Sequence, residues 1–75
     1  MDLVSCPTGS PARVVGVDGE PGLALRLGEL GLRPGAVVRV THHGGRSGRV
    51  VAVGADRLAL DLSACAGVRL ALLAP

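Results

Sequence analysis

A chain of 75 residues has material for one hydrophobic core and no second domain, and without Phe, Tyr or Trp that core falls to Leu, Val and Ala. The net charge of +2 comes from eight arginines against six acids, dispersed without a run of one sign, so charge alone does not mark a nucleic-acid binder. No apolar stretch approaches the ~20 residues that span a bilayer, and MDLVSCPTG lacks the basic and apolar regions of a secretory leader; a cytoplasmic domain without membrane insertion is expected.

The opening CPTGSP is rich in turn formers and should be irregular. ARVVGV (12–17) reads as a strand with Val15 and Val17 sharing one face. DGEPG (18–22) then turns into a helix over 21–30, where Pro21 suits the first helical position and Glu20 the positive end of the dipole. On a helical wheel Leu23, Arg26, Leu27 and Leu30 face the core, while Leu25 and Gly28 face away. Gly28 costs ~1 kcal/mol relative to Ala but leaves no cavity. Gly31 supplies the left-handed stop, letting Leu32 fold back onto Leu27, and Pro34-Gly35 is the signature of a type II turn.

After that turn the period changes from 3.6 to 2. AVVRVTH (36–42) places Val38 and Val40 inward and Val37, Arg39 and Thr41 outward. HGGRSG (43–48) is a glycine-rich loop, RVVAV (49–53) a strand, and Gly54-Ala55-Asp56 a tight hairpin connection. RLALDL (57–62) is a strand with Leu58, Leu60 and Leu62 on one face, and SACAG (63–67) a helical turn or 3₁₀ corner. VRLALL (68–73) closes the series with Val68, Leu70 and Leu72 inward and Leu73 outward. Five short strands with one helix after the first predict a mostly β fold, a small bent barrel whose closure hides strand edges.

Chemistry-bearing residues are sparse. Cys6 and Cys65 read as ordinary thiols in a reducing compartment. HHGGRSGR (42–49) has the glycines and arginines of an anion cradle, but it lacks the Gly-Lys-Ser/Thr ending and leads into a strand, so it reads as a hairpin tip. His42 and His43 are adjacent on a strand and should point to opposite faces, which gives one ion no chelating pair. No nucleophile–base–orienter set is recognisable; no catalytic residue, metal ligand or cofactor is expected, and the chain reads as a non-enzyme. Absent aromatics also argue against polyproline grooves and base-stacking platforms.

The run Arg26-Leu27, Glu29-Leu30-Gly31-Leu32, Pro34-Gly35 resembles the signature of the ferrous iron transport protein A family (FeoA), and DRLALDLSACAGVRL is similar to that family's closing segment. The resemblance runs from Arg13 to Leu72. It implies a single SH3-like domain over 1–75, non-catalytic, acting as an accessory or regulatory partner of the cytosolic GTPase part of a FeoB-type ferrous iron transporter. Partner binding is assigned to Leu25, Arg26, Arg33 and Val37; neither nucleic acid nor direct membrane insertion is expected, and a homo-oligomer is left open. PGAVVRVTHHGGRSGRVVAVGADRLAL also resembles KOW-type RNA-binding barrels, in which Arg46 and Arg49 would meet phosphates. A third reading is a transition-metal-binding regulatory domain using His42 and His43.

Overall fold

Alternating apolar and polar residues build five strands: β1 (Ala12–Val17), β2 (Val37–His43), β3 (Arg49–Val53), β4 (Asp56–Leu60) and β5 (Val68–Leu72). Two helices interrupt them, α1 (Leu23–Glu29) after β1 and α2 (Leu62–Gly67) between β4 and β5, with a 3₁₀ turn at Gly45–Ser47. The computed structural model describes residues 1–73. All five strands are antiparallel in one sheet of order β4-β3-β2-β1-β5, the mostly β architecture expected, with α2 as a second helix where a helical corner was predicted.

Two bulges bend the sheet and reset its alternation. On β1, Val14 pairs with Leu70 and Gly16 with Arg69, so Val15 and Gly16 together oppose one residue. Val14 is therefore buried, Val17 half-buried and Val15 50% exposed, which corrects the expectation that Val15 and Val17 share a face. Gly16 lies beneath the Arg69 guanidinium, where any Cβ would collide. On β2, Val40 pairs with Val51 and His42 with Val50, so Thr41 and His42 oppose one residue. The alternation resumes at His43, paired with Arg49.

The core is aliphatic, as the composition requires. Val14, Val38, Val40, Val51, Val68 and Leu70 from the strands meet Leu27 and Leu32 from the helical segment. Leu72, expected inward, is 46% exposed, since it ends β5 at the sheet's edge. Leu73 is half-buried. β4 stops at Leu60 because Asp61 caps α2, its carboxylate accepting from the Ala64 N–H at 2.8 Å; Leu62 thus opens the helix rather than closing the strand. The hairpin before β4 is tighter than expected, with Val53 opposite Asp56 and Gly54 at φ +59°.

The opening residues are more ordered than turn-former content suggests. The Asp2 carboxylate accepts from the Val4 and Ser5 N–H groups at 2.9 and 3.1 Å, making a turn that sends Leu3 and Cys6 inward to full burial. The turn is tied to the last strand and helix, Leu70 N–H to the Met1 carbonyl and Leu3 N–H to the Cys65 carbonyl at 3.2 Å. The strand ladder leaves β4 and β5 as its edges, and this segment lies against β5 through Asp2 and Arg69. Closure is thus shared between strands and the opening turn.

Candidate docking surface

The α1 segment is short but sharply ended. It starts at Leu23 rather than Pro21, because the chain first makes a turn from the Glu20 carbonyl to the Leu23 N–H, at 3.0 Å. Gly22 is the N-cap and provides no side-chain cap. At the other end the Gly31 N–H reaches the Gly28 carbonyl at 3.0 Å and the Leu32 N–H the Leu27 carbonyl at 2.9 Å. With Gly31 at φ +98°, this is the Schellman pair of bonds predicted from sequence. The Ala36 N–H to Arg33 carbonyl bond at 3.0 Å, with Gly35 at φ +96°, completes the type II turn.

Leu27 and Leu32 anchor this assembly in the core, and Leu25 is left 68% exposed on the outward side. Leu30, expected inward, is 49% exposed because it is the C-cap, where the wheel no longer applies. Leu25 and Arg33 line one groove of about 320 Å³ with Ala24, Gly28 and Glu29. A Cβ on Gly28 would meet nothing within 4 Å, so the glycine opens the groove rather than relieving a clash. The Ala24/Gly28 spacing of four was the signal in the sequence for this smooth strip.

The four residues assigned to docking do not form one cluster. Arg26 lines a separate groove of about 360 Å³ between α1 and α2, facing Asp18, Glu20 and Asp61. Val37, 45% exposed, lies on the sheet opposite Arg13. The turn joins these surfaces, since Arg13 Nη1 donates to the Gly35 carbonyl at 3.1 Å.

The glycine loop is held internally. Arg49 donates from Nη1 to the Gly45 and Gly48 carbonyls at 3.1 and 2.8 Å, and from Nη2 to the Val4 carbonyl at 3.0 Å. Its guanidinium staples the opening turn to the loop and is not free to meet phosphates, unlike Arg46, which is exposed. His43, reset by the bulge, contacts the Cys6 carbonyl through Nε2 at 3.3 Å, and His42 contacts the Thr41 hydroxyl through Nδ1 at 3.2 Å. Cys6 and Cys65 are free and buried. Burial pushes the Cys6 thiol up; burial also dominates at Cys65, where the nearby Arg49 charge works against it. Both are therefore neutral thiols near pH 7, poor as nucleophiles and as metal ligands.

Comparison with known proteins now bears on this arrangement. The family model for the FeoA domain matches residues 1–71. The chain belongs to the FeoA family. Among curated proteins none matches it. Among solved structures, FeoA of Stenotrophomonas maltophilia is 32% identical, with TM-score 0.82 over 95% of this chain and 89% of that one. That protein was solved with zinc and is described as a procaryotic SH3 domain protein and a candidate activating factor for ferrous iron transport. FeoA of Chlorobium tepidum is 28% identical, with TM-score 0.89 over 99% of this chain and 71% of that one. An iron uptake regulatory FeoA is 25% identical, with TM-score 0.88 over 97% of both chains. The fold is thus SH3-like and the family is linked to ferrous iron transport. The residues of this chain do not fit a metal centre: among the described residues no three of His, Cys, Asp and Glu converge, and both thiols are neutral.

Proposed function

We propose that this FeoA domain is a non-catalytic accessory module of ferrous iron uptake that docks on the cytosolic GTPase part of a FeoB-type transporter through the outward face of α1. The observation that carries the reading is Leu25, 68% exposed beside an open Gly28 on a segment anchored by buried Leu27 and Leu32. A large aliphatic side chain held in water on a fixed support gains free energy only by meeting a partner. Arg33 and Glu29 flank it and set the orientation of whatever docks. The non-catalytic part of the reading is supported by the neutral, buried thiols, by His43 in contact with a carbonyl, and by a Thr41 hydroxyl that donates to the Val50 carbonyl at 3.2 Å rather than to His42.

The test is binding of the transporter's GTPase domain to the immobilised chain. Burying one leucine is worth ~1.5–3 kcal/mol, so Leu25→Asp should weaken binding by roughly tenfold to a hundredfold while the melting temperature is kept. Equal binding by wild type and variant would remove α1 from the interface.

A further inference from the structure

The strand register gathers arginines that lie far apart in the chain. Arg57 on β4 is opposite Ala52 on β3, and Ala52 is opposite Arg39 on β2. Two residues back along β2, Val37 is opposite Arg13 on β1. Directly opposed residues share a face of the sheet, and this face is outward, with Arg13, Arg39, Arg57 and Val37 all exposed. Arg13 and Arg39 are diagonal neighbours at ~7–8 Å and Arg57 lies two strand spacings, ~9.6 Å, from Arg39, so the three arginines stand in a row across four strands. Ala52 and Val37 are the low ground between them. Among the described residues the one ion pair is Arg69 with Asp18, beyond the stripe, so no carboxylate of those residues pairs with these three.

Two of the three are also oriented in advance. Arg13 and Arg39 each spend Nη1 on a backbone carbonyl, Gly35 at 3.1 Å and Gly9 at 2.9 Å. Neither has another hydrogen bond among the described residues, so Nε and Nη2, the edge that can donate two parallel hydrogen bonds to a carboxylate, are left for a partner. Less rotamer freedom then remains to be lost on binding.

We propose that this stripe is a docking surface for an extended acidic segment of a protein partner. Alternate side chains of an extended segment repeat every ~6.8 Å, close to the diagonal spacing of Arg13 and Arg39. Single-stranded nucleic acid would need stacking platforms, and the chain has no aromatic residue. Arg13 joins the stripe to the turn bearing Arg33, so the surface is continuous with the α1 groove. This deepens the docking reading above and rests on it for which protein carries the segment.

The experiment uses a fluorescein-labelled peptide with glutamate at alternate positions between serines, titrated with the full chain at about 0.01 M ionic strength, where screening reaches ~30 Å. Binding should shift backbone amide NMR signals on β1, β2 and β4 and vanish for the glutamine version of the peptide. Arg13→Gln/Arg39→Gln/Arg57→Gln should bind roughly tenfold weaker or worse, the product of three exposed charge pairs each worth a few-fold. Glutamine is too short to keep the bonds to the Gly35 and Gly9 carbonyls, so Arg57→Glu alone, a residue with no internal bond to lose among the described residues, gives an independent reading. Equal binding by these variants, shifts confined to other strands, or tighter binding of an oligouridine or of phosphatidylglycerol vesicles than of the peptide would overturn the proposal. The transporter is absent from this assay, so its failure and that of the Leu25 test are separate results.

Discussion

Gly28 and Gly31 stand three residues apart, and the same substitution should move stability in opposite directions at the two. Gly31 sits at φ +98°, and a Cβ there would also press on Val53 Cγ1 at 3.2 Å. Placing an L-residue in left-handed backbone costs about 1–2 kcal/mol. Gly28 is inside α1 with ordinary helical backbone and open space around its missing Cβ. Alanine there should gain ~0.5–1 kcal/mol by narrowing the unfolded chain's freedom. With average unfolding entropy, a chain of 75 residues changes by about 0.16 kcal/mol per degree near its midpoint.

Gly31→Ala should therefore melt ~6–12 °C lower and Gly28→Ala ~3–6 °C higher, read by circular dichroism or calorimetry. The second variant also tests function, because its methyl enters the groove beside Leu25. It should be a better-folded protein that holds the transporter's GTPase domain less well. A Gly31→Ala melt equal to wild type would refute the Schellman account of the helix end. A Gly28→Ala that melts lower would show that the groove is not open space.

Three further outcomes follow from named contacts. Arg49→Met removes the donors to Val4, Gly45 and Gly48, and should cost about 2–3 kcal/mol with faster amide exchange at Leu3 and in the glycine loop; unchanged exchange there would show that the staple is idle. Asp61→Ala should cost ~1 kcal/mol through the lost cap on α2, whereas Asp18→Asn, which breaks an exposed pair with Arg69, should cost less than ~1 kcal/mol in the same melt. Stability should fall at alkaline pH, because the thiols of Cys6 and Cys65 are held above the ordinary value of 9.0 by burial. Their contribution is whole below the unfolded-state value and is lost as pH rises through the folded-state values. A Cys6→Ala/Cys65→Ala variant should flatten that alkaline loss in urea titrations.

Features encoded within a few residues were legible. The glycine-stopped helix, the Pro34-Gly35 turn and the inward valines of β2 each depend on chemistry contained in a short window, and each stands as read. Exposure of Leu25 and Val37 was legible for the same reason. The opening turn was not, because its partners are Arg49, Cys65 and Leu70, contacts that no local pattern announces. The groove beside Leu25 needed both the helix and the turn that returns Arg33 to it.

Bulges explain why Val15 and Val17 part faces and why His43 returns to the opening segment. A strict period of two puts Val15 with Val17 and turns His43 away from the face of Val38 and Val40; one extra residue on β1 and one on β2 reverse both assignments. Beyond the second bulge, His43 and Arg49 turn to the opening segment and become structural. Between the bulges the register is regular, and there Arg13, Arg39 and Arg57 remain outward in a row. Arg49, beside the second bulge, thus spends its guanidinium on three carbonyls of the fold, while Arg13 and Arg39 each spend one nitrogen and Arg57 none among the described residues.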